Sequence, residues 1–209
     1  MKFTTIFASL AALAAAAPLD GAPSDTPRDV RINGVNYGGT GCPQGTVSSS
    51  LNSERTVMTL IFDVYAATIG PKAKSRSEAR RYCQLNLKVQ YPGGYQFSVF
   101  KVDTRGYADL EGGVTGEILT TYYFSGESKD AKTRLTINGP QHATYRKSDS
   151  LKSESMVWSP CGKEGLINIK TEINLTSRND NAGGLLTVDS IDAKFEQKFN
   201  LQWRSCNKK

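Results

Sequence analysis

Histidine is almost absent from this sequence. Of 209 residues, one is histidine, His142. A metal site built from several histidines cannot be assembled from it, and neither can a copper centre that uses an N-terminal histidine. A Ser-His-Asp triad would have to use His142. That residue follows Asn138-Gly139-Pro140-Gln141, a turn signal with no serine elbow beside it. His142 therefore reads as an exposed loop residue. Cysteine is also scarce, limited to Cys42, Cys83, Cys161 and Cys206, with spacings of 41, 78 and 45 residues that match no zinc motif. Long apolar runs are missing beyond the first residues. No later window approaches the roughly 20 residues of a membrane span.

The exception is the start of the chain. Lys2 is followed by an uncharged run from Phe3 to Ala17 that ends in alanines. This is the pattern of a secretory signal peptide over residues 1–17, with cleavage near Ala16 or Ala17. Export places the four cysteines in an oxidising compartment, where an even set pairs. Three connectivities exist. The expected one is Cys42–Cys83 with Cys161–Cys206, each loop worth about 4 kcal/mol in the chain-entropy model. Paired cysteines leave no thiol nucleophile. Asn174-Leu175-Thr176 is a glycosylation sequon.

The mature chain reads as strand after strand. Residues 18–33, with Pro18, Pro23 and Pro27, read as a flexible leader, and residues 34–209 as one domain. Strand patterns run over Thr59–Tyr65, Leu85–Tyr91, Tyr95–Asp103, Val114–Phe124, Arg134–Ile137, Glu154–Trp158, Ile167–Leu175 and Ala193–Trp203. The clearest is Ile167–Leu175. It puts Ile167, Ile169, Ile173 and Leu175 on a dry face, and Asn168, Lys170, Glu172 and Asn174 on a wet one. Thr171 interrupts the dry face, so its hydroxyl needs a partner. Turn signals separate the runs, among them Pro92-Gly93-Gly94, Gly112-Gly113 and Asn138-Gly139-Pro140. The implied fold is all-β: an antiparallel, jelly-roll-like β-sandwich of about eight strands with at most one short helix. That helix would begin at Ser75-Arg76-Ser77-Glu78, which has capping-box spacing, and run to Tyr82.

Carboxylate chemistry survives the exclusions. Asp109 and Glu111 are two residues apart, so on a strand they share a face at roughly 7 Å, a separation an acid/base pair can use. With Tyr107 they form the candidate ligand-contact set. The plainer reading is two solvated acids before a turn. Asp103, Asp109 and Glu111 could also hold Ca²⁺, but no 12-residue loop pattern accompanies them. Lys72, Lys74, Arg76, Arg80 and Arg81 form a basic cluster. It has no interleaved aromatics for stacking bases and reads as a solvated segment. Gly38-Gly39-Thr40-Gly41-Cys42-Pro43-Gln44-Gly45 lacks the spacing of a phosphate cradle and reads as a tight turn delivering Cys42 to its partner. Sugar-stacking aromatics would come from Tyr91, Tyr95, Tyr107, Tyr122 or Tyr123. No catalytic set, metal site or cofactor is expected.

Several segments carry a resemblance. They are Gly39–Gly45 (GTGCPQG), Cys83–Leu87 (CQLNL), Tyr95–Val99, Arg105–Leu110 (RGYADL), Thr121–Gly126 and Ser159–Gly162. In this order, with these cysteines, the chain resembles a family of small secreted proteins abundant in filamentous fungi and also seen in bacteria, catalogued as domain of unknown function 4360. The resemblance implies an extracellular β-sandwich and supplies no catalytic residues. The functional expectation is a secreted, disulfide-stabilised, non-catalytic binding or interaction protein. Its target would be a cell-wall glycan or a host-surface molecule, as for an effector or elicitor. One alternative is a carboxylate-dependent extracellular hydrolase of polysaccharide or protein. Another is an inhibitor of extracellular hydrolases. The expected partner is an extracellular glycan or protein, with no nucleic acid, no membrane span and a monomeric chain.

Overall fold

The computed structural model describes residues 26–187 and 195–206. The expected signal peptide and residues 18–25 lie outside the described residues. Eleven strands follow one another: β1 (Arg31–Gly38), β2 (Val47–Leu51), β3 (Val57–Phe62), β4 (Ala66–Ile69), β5 (Arg80–Leu110), β6 (Val114–Phe124), β7 (Asp130–Asn138), β8 (Gln141–Ser150), β9 (Gly162–Ser177), β10 (Gly184–Thr187) and β11 (Phe195–Ser205). All their pairings are antiparallel. The fold is the expected all-β sandwich, with more strands than the eight anticipated.

β5 explains the architecture. Its first half, from Arg80 to Gln90, pairs with β1 on one side and β9 on the other. β9 continues to β6 and β6 to β7. Its second half, from Tyr95 to Leu110, pairs with β8, β11 and β10. β11 continues to β3 and β3 to β2. The strand thus leaves one sheet and enters the other through Pro92-Gly93-Gly94, where its register with β9 breaks between Gln90 and Tyr95. The sequence reading treated this tripeptide as a turn between two strands. It is instead a corner within one, because proline donates no ladder bond and glycine tolerates the bend. Gly94 has φ +85°, and its carbonyl accepts from the Cys206 N–H.

The two sheets meet through alternate residues. Phe97 of β5 packs edge-on against Phe124 of β6. The Tyr122 hydroxyl donates to the Val99 carbonyl across the gap (3.0 Å). Ile167, Ile169, Ile173 and Leu175 are buried as the alternation requires. Thr171 finds its partner: its hydroxyl donates to Gln197 Oε1 (2.8 Å), and Gln197 Nε2 donates to the Thr120 hydroxyl (2.9 Å). This satisfied network ties β9 and β6 to β11 at the centre of the core. On the wet face Lys170, Glu172 and Asn174 are half-exposed, but Asn168 is buried. It accepts from Asn86 Nδ2 and donates to Ser125 Oγ.

Other expectations are corrected locally. The capping-box segment forms one 3₁₀ turn, Arg76–Ala79, with no side-chain cap on Ser75. Tyr82 belongs to β5, whose ladder bonds with β9 begin at Arg80 and override further helix growth. Glu154–Trp158 is not a strand. A 3₁₀ turn at Ser153–Ser155 is followed by an irregular stretch whose Ser159 N–H donates to the Phe97 carbonyl. Residues 31–33, read as leader, open β1. The disulfides are Cys42–Cys83 and Cys161–Cys206, as expected, and all four cysteines are paired. The glycine-rich loop delivers Cys42 because side chains would not fit there. A Cβ on Gly39 (φ +150°) would strike the Tyr82 carbonyl, and one on Gly41 the Tyr65 ring.

The parity of β9 is testable. Ile169→Ala should cost about 2–5 kcal/mol in a urea titration, from lost transfer energy and a cavity. Lys170→Ala should stay within about 0.5 kcal/mol. A more damaging lysine change would mean the register is slipped by one residue.

Candidate functional site

Two of the three predicted ligand-contact residues, Asp109 and Glu111, meet at one end of the sandwich. β10 lies between β4 and the end of β5, and β8 pairs on the other side of β5. The result is a row across four strands: Thr68, Leu185, Asp109 and His142. Two rows further in, Ala66, Thr187, Tyr107 and Thr144 align in the same way. Glu111 begins the turn after β5. A cleft of about 530 Å³ opens here, lined by Lys72, Asp109, Glu111, His142 and Asn181 among others. Thr68, Ile69 and Pro71 connect it to a second groove of about 700 Å³ that carries Arg76, Asn179 and Asp180.

Asp109 and Glu111 do converge on one cleft, but both are already engaged. Asp109 Oδ1 lies 2.5 Å from His142 Nδ1. Glu111 Oε2 accepts the Gly183 N–H (2.8 Å), and the Glu111 N–H donates to the Gly183 carbonyl (3.0 Å). Glu111 is therefore a clasp that holds the segment before β10 onto the turn after β5. His142 is corrected from an unpartnered loop residue to a strand residue directly opposite Asp109. The polar sequence Gln141-His142-Ala143-Thr144 concealed the strand, because β8 is mostly solvent-exposed. Strand parity alone would not have found this pair. It takes the register of β5 against β8. A carboxylate–imidazole pair can hold or pass a proton. Among the described residues lining the cleft there is no serine or cysteine to act as nucleophile.

The remaining candidates disperse. Tyr107 is half-buried beside the cleft row. Asp103, the third residue considered for calcium, is six residues from Asp109, roughly 20 Å along an extended strand. It is held by Lys101 (3.0 Å), Ser148 and Asn200 (2.8 Å). The basic cluster divides as well. Lys72 and Arg76 enter the two grooves, Arg80 pairs with Glu172 (2.7 Å), and Arg81 lies 3.6 Å from Glu78. Of the tyrosines considered for stacking, Tyr91 and Tyr122 are core residues, and burial raises both phenol pKa values. Tyr123 is exposed. So is Tyr82, which the sequence reading had not considered.

Both exposed tyrosines lie on the outer face of the β1–β5–β9–β6–β7 sheet. Charges on that face come in pairs: Arg80 and Lys170 with Glu172, Lys88 with Glu164, Lys132 with Asp130 and Arg134 with Glu117. Burial alone would raise the Glu172 pKa. The hydrogen bonds from Arg80 and Lys170 outweigh it and hold the carboxyl below its ordinary value. Asp103 behaves likewise: bonds from Ser148, Asn200 and Lys101 outweigh burial.

A family model described as Domain of unknown function (DUF4360) matches residues 28–206. An "Uncharacterized secreted protein" of Arthroderma benhamiae is 48% identical over 186 residues, covering 89% of this chain and 76% of the relative. Among solved structures, TmCBM61 in complex with beta-1,4-galactotriose has a TM-score of 0.29 at 10% identity, over 83% of this chain and 90% of that one. The family 11 carbohydrate-binding module from Clostridium thermocellum has a TM-score of 0.22 at 11% identity, over 84% and 90%. TM-scores this low do not separate a shared fold from shared richness in strands.

Two outcomes follow from the geometry. Glu111→Ala should speed hydrogen exchange at the Gly183 amide and lower stability by about 0.5–1.5 kcal/mol, the net worth of an ordinary hydrogen bond. Depressed carboxyl pKa values stabilise the fold above the unfolded values of 3.8 for Asp103 and 4.5 for Glu172. That contribution is lost as pH falls through the lower folded values. In thermal melts run down from pH 5, Glu172→Gln should flatten the acid limb. A limb unchanged in slope would remove Glu172 from its cause.

Proposed function

The chain belongs to the family described as Domain of unknown function (DUF4360) and is a secreted, disulfide-bonded protein, and from that premise we propose that it is a non-catalytic binding protein acting on an extracellular glycan or protein. The observation that carries this reading is the engagement of the candidate catalytic groups. Asp109 is spent on His142, Glu111 on the Gly183 N–H, and every cysteine on a disulfide. Glu111, held by the Gly183 N–H, serves as a clasp rather than as the second member of an acid/base pair with Asp109. In the same reading residues 1–17 are a removed signal peptide, and Asn174 carries an N-glycan. Asn174 lies half-exposed on the outer face of β9, between Arg80 and Glu117.

The second reading, a carboxylate hydrolase, has one observation in its favour: the cleft does unite Asp109, Glu111 and His142. The two separate in one assay. Purified protein incubated with wall polysaccharides and casein should retain a ligand without releasing reducing ends or peptides. Turnover that disappears in Asp109→Asn, in a variant that melts like the parent, would establish the hydrolase instead.

A further inference from the structure

We propose that the opening between β7 and β8 leads into a binding pocket for a compact hydroxy acid with a hydrocarbon body. The site is separate from the cleft at Asp109 and goes beyond the glycan or protein reading. β7 and β8 follow one another in the chain but lie in different layers: β7 pairs with β6, and β8 with the second half of β5. The Arg134 N–H donates to Asp149 Oδ2 (3.0 Å) and bridges the two edges. Beside that bridge a pocket of about 150 Å³ reaches into the interior. Its walls are Val102, Ile118 and Leu135 with the threonines Thr104, Thr120 and Thr133. A cavity of about this size takes a benzene-sized ring where its walls are apolar.

The threonines point to a ligand. Thr104 and Thr133 are 7% and 6% exposed, yet neither hydroxyl has a hydrogen-bond partner among the described residues. Thr120 differs, because Gln197 Nε2 donates to its hydroxyl. Tyr145, on the inward face of β8, is also buried with its hydroxyl unpartnered. Buried hydroxyls without partners are destabilising, and valine at Thr104 or Thr133 would fill the same space without that cost. The rim sets the charge of the ligand. Arg134 is paired with Glu117, Asp149 accepts the Arg134 N–H, and the Ser148 hydroxyl donates to Asp103. Lys147 is the one charged residue lining the pocket that lacks a partner among the described residues. An ammonium at the mouth and open hydroxyls inside, with hydrocarbon walls between, match a carboxylate, a hydroxyl and a hydrocarbon body. A hexose does not fit this pattern, because its hydroxyls would meet Val102, Ile118 and Leu135.

Titration of isotope-labelled protein with 4-hydroxybenzoate tests this by amide shifts, with 3-hydroxybutyrate as the aliphatic acid and 4-hydroxybenzyl alcohol and glucose as comparisons. At least one acid should bind saturably, one molecule per chain, and shift the amides of Thr104, Ile118, Thr133 and Leu135. The alcohol should bind about tenfold more weakly than 4-hydroxybenzoate, and glucose should not bind. Lys147→Gln should remove the preference for the acid over the alcohol. Thr104→Val and Thr133→Val should each weaken binding several-fold while melting at or above the parent temperature, because each deletes an unpartnered buried hydroxyl. Leu135→Trp, which fills the pocket, should abolish binding in a chain that still melts cooperatively. Absence of saturable binding by both acids means that the pocket holds water alone and overturns the proposal. So does binding that leaves those four amides unmoved, binding unchanged in Lys147→Gln and both valine variants, or glucose binding more tightly than the acids.

Discussion

The structure depends on a single strand being shared by two sheets. β5 hydrogen-bonds to β1 and β9 with its first half and to β8, β10 and β11 with its second. Neither sheet can form without ordering part of a segment that the other also needs. Folding the two layers is therefore coupled through the backbone, before any side chain packs. The corner at Pro92-Gly93-Gly94 is where that coupling is geometrically difficult. There the strand gives up ladder bonds, and the Gly94 carbonyl recovers one from the Cys206 N–H. Burying the core then adds the cross-layer contacts, including the Thr120–Thr171–Gln197 network, in which every polar group is satisfied.

Strand parity turns the same residues into core and surface at once. Along β9 each inward isoleucine sets the position of an outward polar residue, so the outer face's register is fixed by the core's. Mixed polar and aromatic surface can persist on one face because the other face is so completely dry. The two ends of the molecule use different physics. In the cleft Asp109 faces His142, and Glu111 is held by the Gly183 N–H. On the outer face Arg80 and Lys170 share Glu172, and the Lys170 ammonium stands 5.9 Å from the centre of the Tyr82 ring.

Legibility followed burial. Ile167–Leu175 and Val114–Phe124 are plain in the sequence because one face of each is apolar apart from a single buried threonine, Thr171 and Thr120. β8 was invisible: Tyr145 is its sole buried residue, so an exposed edge strand leaves no period-two signal. Pro92-Gly93-Gly94 misled for a sound local reason, since only the tertiary ladder shows that the chain continues through it. Asp109 and Glu111 both line one cleft, but their partners, His142 and the Gly183 N–H, lie 33 and 72 residues away, beyond any spacing argument. Tyr82 could have been found. Leu85, Leu87 and Val89 define the inward parity of β5, and extending it backwards puts Tyr82 outside with Gln84 and Asn86.

The disulfides make best sense when the β5–β9 ladder is considered with them. Cys83 pairs across the ladder with Thr171, near its Arg80 end. Its bond to Cys42 brings the glycine-rich loop against β5, where the Gly41 N–H donates to the Tyr82 carbonyl (2.9 Å) and the Tyr82 N–H to the Thr40 hydroxyl (3.2 Å). Cys161 precedes Gly162, which pairs with Tyr95 just past the corner, and Cys206 is held to Gly94. The two crosslinks therefore brace the opposite ends of the β5–β9 ladder. In a chain of this size the core alone is large enough to specify the fold. What the crosslinks add is local: one holds the glycine-rich loop on β5, and the other ties the start of β9 to the end of β11. That is the physical link between the oxidising compartment this chain enters and the fold it keeps there.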